Sequence, residues 1–339
     1  MLFFAFEFNK MNRELKLSTF ARYAWFVLGF NLIVILWGVF LRASKSGDGC
    51  GQHWLTCNGE VIPAAPQLKT VIEFSHRITS SLAGIFIIIL LVWALANWFS
   101  RKSERKSYLL KAAVGSFVFV VLEGLIGAGL VLTGNTAETL TASRPVWMSA
   151  HLINTLILVM FLTLTAWFAS GGKPLKFGGQ RKTLILLAIA IAGIFLIGIS
   201  GSIAALSNML FPSATLADGI AQDFSETSHI LVRLRVSHPI LSVSVGFYLL
   251  FLSSWLKSKV AENLSLNRWA NVLSLLVLIQ FVVGALTLLT HAPILMQLVH
   301  LLLADLVWIA FILLSANVLS EQSAAEKSLL TPKFQSAVN

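Results

Sequence analysis

Charge is what this 339-residue sequence lacks: 12% of it is Asp, Glu, Lys or Arg, while 57% is hydrophobic. An ordinary soluble domain carries about twice that charge fraction, so the composition excludes one. A mean hydropathy of +0.82 agrees. Eight apolar stretches are long enough to cross a bilayer, which takes about 20 residues. They run over 24–42, 72–99, 112–132, 147–169, 184–207, 235–256, 270–290 and 298–319. What is left over is too short for a sizeable soluble domain.

Acidic residues are fewer than basic ones, 15 against 25, giving a net charge of +10. This excess does not point to nucleic acid, because the basic residues occur in short clusters between stretches. Lys10, Arg13, Lys16 and Arg22 precede the first. Arg101, Lys102, Arg105, Lys106 and Lys111 follow the second. Lys173, Lys176, Arg181 and Lys182 follow the fourth, and Lys257, Lys259 and Arg268 follow the sixth. Lys327 and Lys333 lie beyond the eighth. All fall on one side of an eight-span chain. The positive-inside rule places that side, and both termini, in the cytoplasm. Loops 43–71, 133–146, 208–234 and 291–297 then face outward. No cleaved leader is expected, because Leu2–Phe8 is followed by charge rather than a small-residue cleavage site. An Arg/Ser-rich transit segment is also missing, so a bacterial cytoplasmic (inner) membrane is expected.

Cysteine is scarce as well. Cys50 and Cys57 are the two in the chain, both in the first outer loop. An outward loop is an oxidising setting, so a disulfide is the default reading. A metal site is the weaker alternative, with His53 alone nearby to complete it.

Histidine, in contrast, is patterned. His76, His151, His238 and His300 each stand near the start of an even-numbered stretch. Even-numbered stretches run in one direction, so the four imidazoles share one depth near the outer face. Ionisable groups are rare in membrane helices without a function. Two imidazoles from facing helices can clamp one heme, so four suggest two hemes, or a heme cofactor and a heme-like substrate. His53, His229 and His291 lie in outer loops and read as solvated or interfacial.

The chain also repeats. Glu123-Gly-Leu-Ile-Gly-Ala-Gly parallels Gln280-Phe-Val-Val-Gly-Ala-Leu, and each is followed by a histidine stretch, at His151 and His300. Ser75-His76-Arg77-Ile78 aligns with Ser237-His238-Pro239-Ile240. The implied architecture is all-α: eight transmembrane helices as two pseudo-symmetric four-helix bundles, 24–169 and 184–319. The segments 1–23 and 320–339 are cytoplasmic. Gly124, Gly127, Ala128, Gly129, Gly284 and Ala285 would let helix backbones approach closely. Glu123 and Gln280 take equivalent mid-helix positions, where interhelical hydrogen bonding is the economical role. Asp305, inside the eighth stretch, reads similarly.

Glu73 stands one turn before His76, so the two share a face. It can relay a proton or act as a general base, or it can pair with Arg77 or orient the imidazole. Arg42, Arg77, Arg144, Arg233 and Arg235 oppose the charge rule by lying at outer helix ends. Some of them read as partners for heme propionates, which arginine binds through a bidentate fork. Pairing with Asp218, Asp223 or Glu226 is an equal alternative for Arg233 and Arg235. No span is expected to be broken, and the ionisable groups gather at one face, which argues against a transporter.

Taken in order, the six-residue-spaced cysteine pair, Glu73-Phe-Ser-His76-Arg77, the Leu-Thr-Gly-Asn exit of the third stretch and the histidines of the fourth, sixth and eighth resemble the heme A synthases, cytochrome oxidase assembly proteins. The resemblance covers nearly the whole membrane region. It implies a heme b in the C-terminal half with His238 and His300 as axial ligands. It implies heme O as substrate in the N-terminal half, beside His76 and His151, with Glu73 as the functional carboxylate and the Cys50–Cys57 pair close by. Arg77 and Arg235 would be cofactor-binding. The implied reaction turns a porphyrin methyl into a formyl group by successive hydroxylation, a gem-diol losing water. Implied partners are a heme O synthase and an electron donor in the membrane, with a homo-oligomer also open. Two features depart from the family pattern: the C-terminal half has no cysteine pair, and loop 208–234 matches no family function. A di-heme b-type electron-transfer protein and a non-enzymatic heme carrier are the competing readings.

Overall fold

The computed structural model describes residues 17–100, 103–136, 140–259 and 263–321. Lys10, Arg13, Lys16, Arg101, Lys102, Lys327 and Lys333, and most of the two terminal segments expected to be cytoplasmic, lie outside these residues. Among the described residues the chain is helical: α1 (Thr19–Ala43), α2 (Leu68–Ser100), α3 (Glu104–Leu132), α4 (Arg144–Ala169), α5 (Arg181–Leu210), α6 (Leu216–Phe224), α7 (Ile230–Arg235), α8 (Ser237–Lys259), α9 (Leu264–Leu289) and α10 (Ile294–Leu319). Eight spans are long and apolar enough to cross a membrane, α7 and α8 together making the sixth.

The helices begin a few residues earlier than the apolar runs because polar caps set their starts. The Ser18 hydroxyl accepts from the Ala21 amide at 3.1 Å, Ser103 from Lys106 at 3.3 Å and Asn263 from Leu266 at 3.0 Å. Their ends use left-handed residues. After α3, Gly134 at φ +68° lets the Asn135 amide reach back to the Leu130 carbonyl. The same turn closes α9, with His291 at φ +59° and the Ala292 amide on the Thr287 carbonyl. The repeat thus extends to the cap, with a histidine where its mate has glycine.

Helices α1 to α4 pack as a ring: α1 on α2, α2 on α3, α3 on α4 and α4 on α1. Helix α8 packs on α5 and α9, and α9 on α10. The two groups meet where α4 and α10 touch, α5 lies on α4, and α1 lies on α10. Helices α4 and α10 are the central pair: 56% and 50% of their apolar windows are buried, against 28% or less for the rest. The Trp308 indole N–H ties them by donating to the Leu156 carbonyl at 2.7 Å, and its ring lies between Phe195 and Phe311. The outer helices expose Phe26, Ile33, Ile85, Val92, Phe247 and Val282. This is the inverse of a soluble surface and suits hydrocarbon as the solvent.

Two outer segments carry detail beyond the sequence expectations. The sixth span is continuous but irregular: α7 ends at Arg235 and α8 starts at Ser237, while Val236 between them keeps right-handed helical dihedrals, φ −64° and ψ −22°. Pro239 is the cause, since it has no N–H to give the Arg235 carbonyl and its ring crowds that oxygen. Loop 208–234 is also not a plain loop. It holds the amphipathic α6, capped by the Thr215 hydroxyl on the Asp218 amide at 3.1 Å.

Candidate functional site

All four patterned histidines lie toward the end of the molecule that carries the disulfide loop, in two pairs. The first pair is His238 on α8 and His300 on α10. Their ring centroids are 6.2 Å apart and their planes cross at 82°. His238 stands in the first turn of α8, with its ring against that of His300 on α10. Ser200 Oγ lies 3.3 Å from His238 Nδ1, and the Gln280 amide donates to the His300 carbonyl at 3.0 Å. The Nδ1 of His300 is buried with no hydrogen-bond partner.

The second pair, by its place in the repeat, is His76 on α2 and His151 on α4. The Nδ1 atoms of both are buried without hydrogen-bond partners. Thr155 Oγ1 donates to the His151 carbonyl at 2.9 Å and also to Glu123. Asn154 donates to Glu123 and to the Phe119 carbonyl. Glu123 Oε1 lies 3.6 Å from His151 Nε2. The interhelical hydrogen bonding expected of Glu123 and Gln280 is therefore present at both, each on its histidine helix.

Each imidazole faces a glycine of the preceding span. A β-carbon built on Gly38 would lie 3.0 Å from His76 Cε1, one on Gly201 3.0 Å from His238 Cε1, and one on Gly284 3.2 Å from His300 Cε1. At Gly127 the distance to His151 Cε1 is 3.9 Å. Gly284 thus makes room for a ring, as do Gly38 and Gly201, and Gly129 does the same for Trp147, while Gly124 meets nothing within 4 Å. Gly201→Ala should displace His238 and destabilise the protein by about 1–3 kcal/mol, the usual cost of overpacking. Gly127→Ala should cost little. Thermal unfolding of the two variants side by side checks this, and equal melting points would contradict it.

Glu73 is 3% exposed, and both its oxygens are engaged. Oε2 accepts from the Cys50 amide at 2.9 Å, and Oε1 from Arg77 Nη2 at 2.6 Å. Arg77 Nη1 also donates to the carbonyls of His53 and Thr56, at 2.7 and 2.9 Å. Cys50 and Cys57 form a disulfide, with Cα atoms 4.3 Å apart. The Thr70 hydroxyl donates to the Gly49 carbonyl at 2.8 Å. A β-carbon on Gly49 would meet the Lys69 backbone at 2.4 Å, so only glycine lets the loop lie this close. The first turns of α2 thus latch the disulfide loop beside His76.

The outer-end arginines are mostly held by protein groups. The pairing of Arg77 with Glu73 weighed from sequence is present, and so is that of Arg235 with Asp223. Arg235 also donates to the Gly219 carbonyl at 2.7 Å and to Asn208 Oδ1 at 3.3 Å. Three of its five N–H donors are so engaged. Arg42 reaches Gln297 of α10 at 3.2 Å, Arg144 reaches the Thr136 carbonyl at 3.4 Å, and Arg233 is exposed. Of the other histidines, His53 and His291 are exposed, and His229 caps α7, accepting from the Leu231 amide at 3.2 Å.

Sequence reasoning missed Gly38, Gly201, Asn154 and Thr155. The two glycines carried a signal: they recur at nearly the same spacing as His76 and His238. Among the described residues no three or more His, Cys, Asp or Glu converge to hold a bare metal ion. A pair of imidazoles suffices for an iron that brings four macrocycle nitrogens of its own. The 6.2 Å centroid separation of His238 and His300 fits that demand. Two metal–nitrogen bonds of about 2.0 Å plus two ring half-widths of about 1.1 Å span a similar distance.

The sequence profile of the family described as "Cytochrome oxidase assembly protein" matches residues 21–312. A protoheme IX farnesyltransferase of Thermus thermophilus is 41% identical over 303 residues, 89% of this chain and 49% of that protein. The chain thus spans about half the length of this relative. A heme A synthase of Alkalihalophilus pseudofirmus is 29% identical over 280 residues, 82% of this chain and 90% of that one. A heme A synthase of Bacillus cereus (strain G9842) is 28% identical over 274 residues, 79% and 83% of the two chains. With all but the ends of the chain matched to one profile, and relatives of nearly its own length named for one synthesis, this protein belongs to the heme A synthase family of cytochrome oxidase assembly proteins.

Proposed function

We propose that this protein oxidises a porphyrin methyl of heme O to the formyl group of heme A. The observation that carries this reading is an asymmetry. Each half carries a histidine pair, but the buried carboxylate Glu73 and the disulfide loop bonded to it stand one helical turn from His76, and the second half has no counterpart to them among the described residues. An electron-transfer protein has use for two similar pockets, whereas an enzyme needs one of them furnished for chemistry. In this reading residues 24–169 form the substrate bundle. Residues 184–319 form a pseudo-symmetric second bundle holding heme b between His238 and His300. His238 and His300 would hold that heme b, which when bound would supply a route for electrons toward the substrate pocket. His76 and His151 hold the substrate iron, and Glu73 stands one turn from His76. Any outward N–H left on Arg77 or Arg235 is available to a propionate.

In this reading the termini lie in the cytoplasm of a bacterial inner membrane, with the histidines and the cysteine loop at the outer face, and the Lys and Arg clusters support that orientation. The Thermus relative supports a partner. About half of that protein lies outside the aligned part, and it is named for farnesyl transfer to protoheme IX. Such a transfer yields the substrate proposed here, so a heme farnesyltransferase is the expected supplier.

The test is expression in cells that make heme O but no heme A, followed by extraction and mass analysis of the bound hemes. Heme A or its hydroxylated precursor beside heme b is the expected result. Heme b alone, with heme O unconverted, would overturn the reading in favour of electron transfer or heme carriage.

A further inference from the structure

The four imidazoles are not held alike. Gly38, Gly201 and Gly284 confine His76, His238 and His300 so closely that a single added carbon would press on each ring at 3.0–3.2 Å. His151 has slack, at 3.9 Å from the corresponding point on Gly127, and its side chain is 34% exposed. It is also the ring with an alternative partner. Glu123 Oε1 lies 3.6 Å from His151 Nε2, the nitrogen that would bind iron if its Nδ1 stays turned into the protein. Thr155 and Asn154 hold that carboxylate in place from the next turn of α4. At the equivalent place in the second half, Gln280 bonds the His300 backbone and leaves the ring alone. The first half thus offers its second histidine two partners, and the second half offers one.

We propose that His151 is the displaceable ligand of the substrate iron, with Glu123 the positioning residue that holds it aside. This rests on the reading of His76 and His151 as a heme-binding pair. An iron clamped by two imidazoles has no coordination position for an incoming ligand, and chemistry at an iron needs one. Release of His151 breaks one iron–nitrogen bond and transfers no electron. The freed Nε2 takes up a proton from water, which its partly exposed side chain allows, and donates it in a hydrogen bond to Glu123, while His76 keeps the iron under Gly38. The C-terminal pair, lacking both slack and carboxylate, stays closed, as suits a group that only passes electrons.

The test is carbon monoxide binding to the reduced full-length protein carrying hemes in both pockets, compared with Glu123→Gln. Gln is the residue at the repeat-equivalent position, so the helix contact is conserved in kind. In the unsubstituted protein one heme of two should take up carbon monoxide. In Glu123→Gln its affinity should fall about tenfold, the difference between a charged and a neutral hydrogen-bond acceptor for the released ring. The spectrum of the C-terminal heme should not change, which also reports that the variant is folded. Unchanged affinity in Glu123→Gln, uptake by the C-terminal heme, or no uptake at all would overturn the proposal. Protein that holds a single heme, unaffected by His76→Ala or His151→Ala, would instead overturn the underlying reading of that pair.

Discussion

Alanine in place of His300 should leave the purified protein one heme short. Its partner His238 would remain, but a single imidazole supplies one of the two axial bonds that hold the iron. Losing even a supporting partner of a metal ligand typically weakens binding 10–100-fold, so loss of the ligand itself should cost at least about 100-fold. The protein should still fold, because the buried His300 Nδ1 has no hydrogen bond to lose and alanine is a strong helix former at this site on α10. Heme-to-protein stoichiometry and the low-spin electron-resonance signal measure the effect. The N-terminal pocket should keep its heme. If the variant retained its full heme complement, bis-histidine ligation at the C-terminal pair would be wrong.

The second large effect belongs to Glu73. In Glu73→Ala the Arg77 guanidinium and the Cys50 amide both lose their acceptor. Breaking a buried ion pair by removing one partner costs about 3–5 kcal/mol, and the partial exposure of Arg77 argues for the lower end. The disulfide loop should loosen and heme O conversion should fall about 100-fold or more, the usual share of a general acid or base. Those two losses have different causes, and Glu73→Gln separates them. The amide oxygen can still accept from Cys50 or Arg77, so melting temperature and loop protection should recover much of their value. Conversion should not recover if the carboxylate takes part in the chemistry. A Gln variant with full activity would reduce Glu73 to a latch.

The span count was legible because hydropathy alone decides it, and the disulfide because only two cysteines exist to pair. The helix starts lay outside the apolar runs, where Ser18, Ser103 and Asn263 carried the information. The irregular turn at Val236 was present in the sequence as Pro239, which removes one ladder hydrogen bond while the apolar run continues through it. Helix α6 could have been read from Thr215 and Asp218, three residues apart at the head of a short amphipathic segment. The glycine notches were not legible singly, since a glycine declares its use only when the ring opposite is known. The engagement of Arg235 by Asp223, Gly219 and Asn208 depends on where α6 folds back, which no local pattern specifies.

The irregular turn before His238 has a consequence for how this segment fits its solvent. From Ile230 to Ser258 the sixth span has 29 residues. Run straight, it would be about 43 Å long at 1.5 Å per residue, well over a hydrocarbon layer of about 30 Å. A helix with that mismatch must tilt, kink or thicken the bilayer around it. Pro239 supplies the place for a kink: it withholds one N–H from the ladder while Val236 keeps right-handed helical dihedrals, so α7 runs on into α8 along α5. The mismatch therefore falls to tilt, or to a bend at the one turn short of a ladder hydrogen bond, two residues before His238.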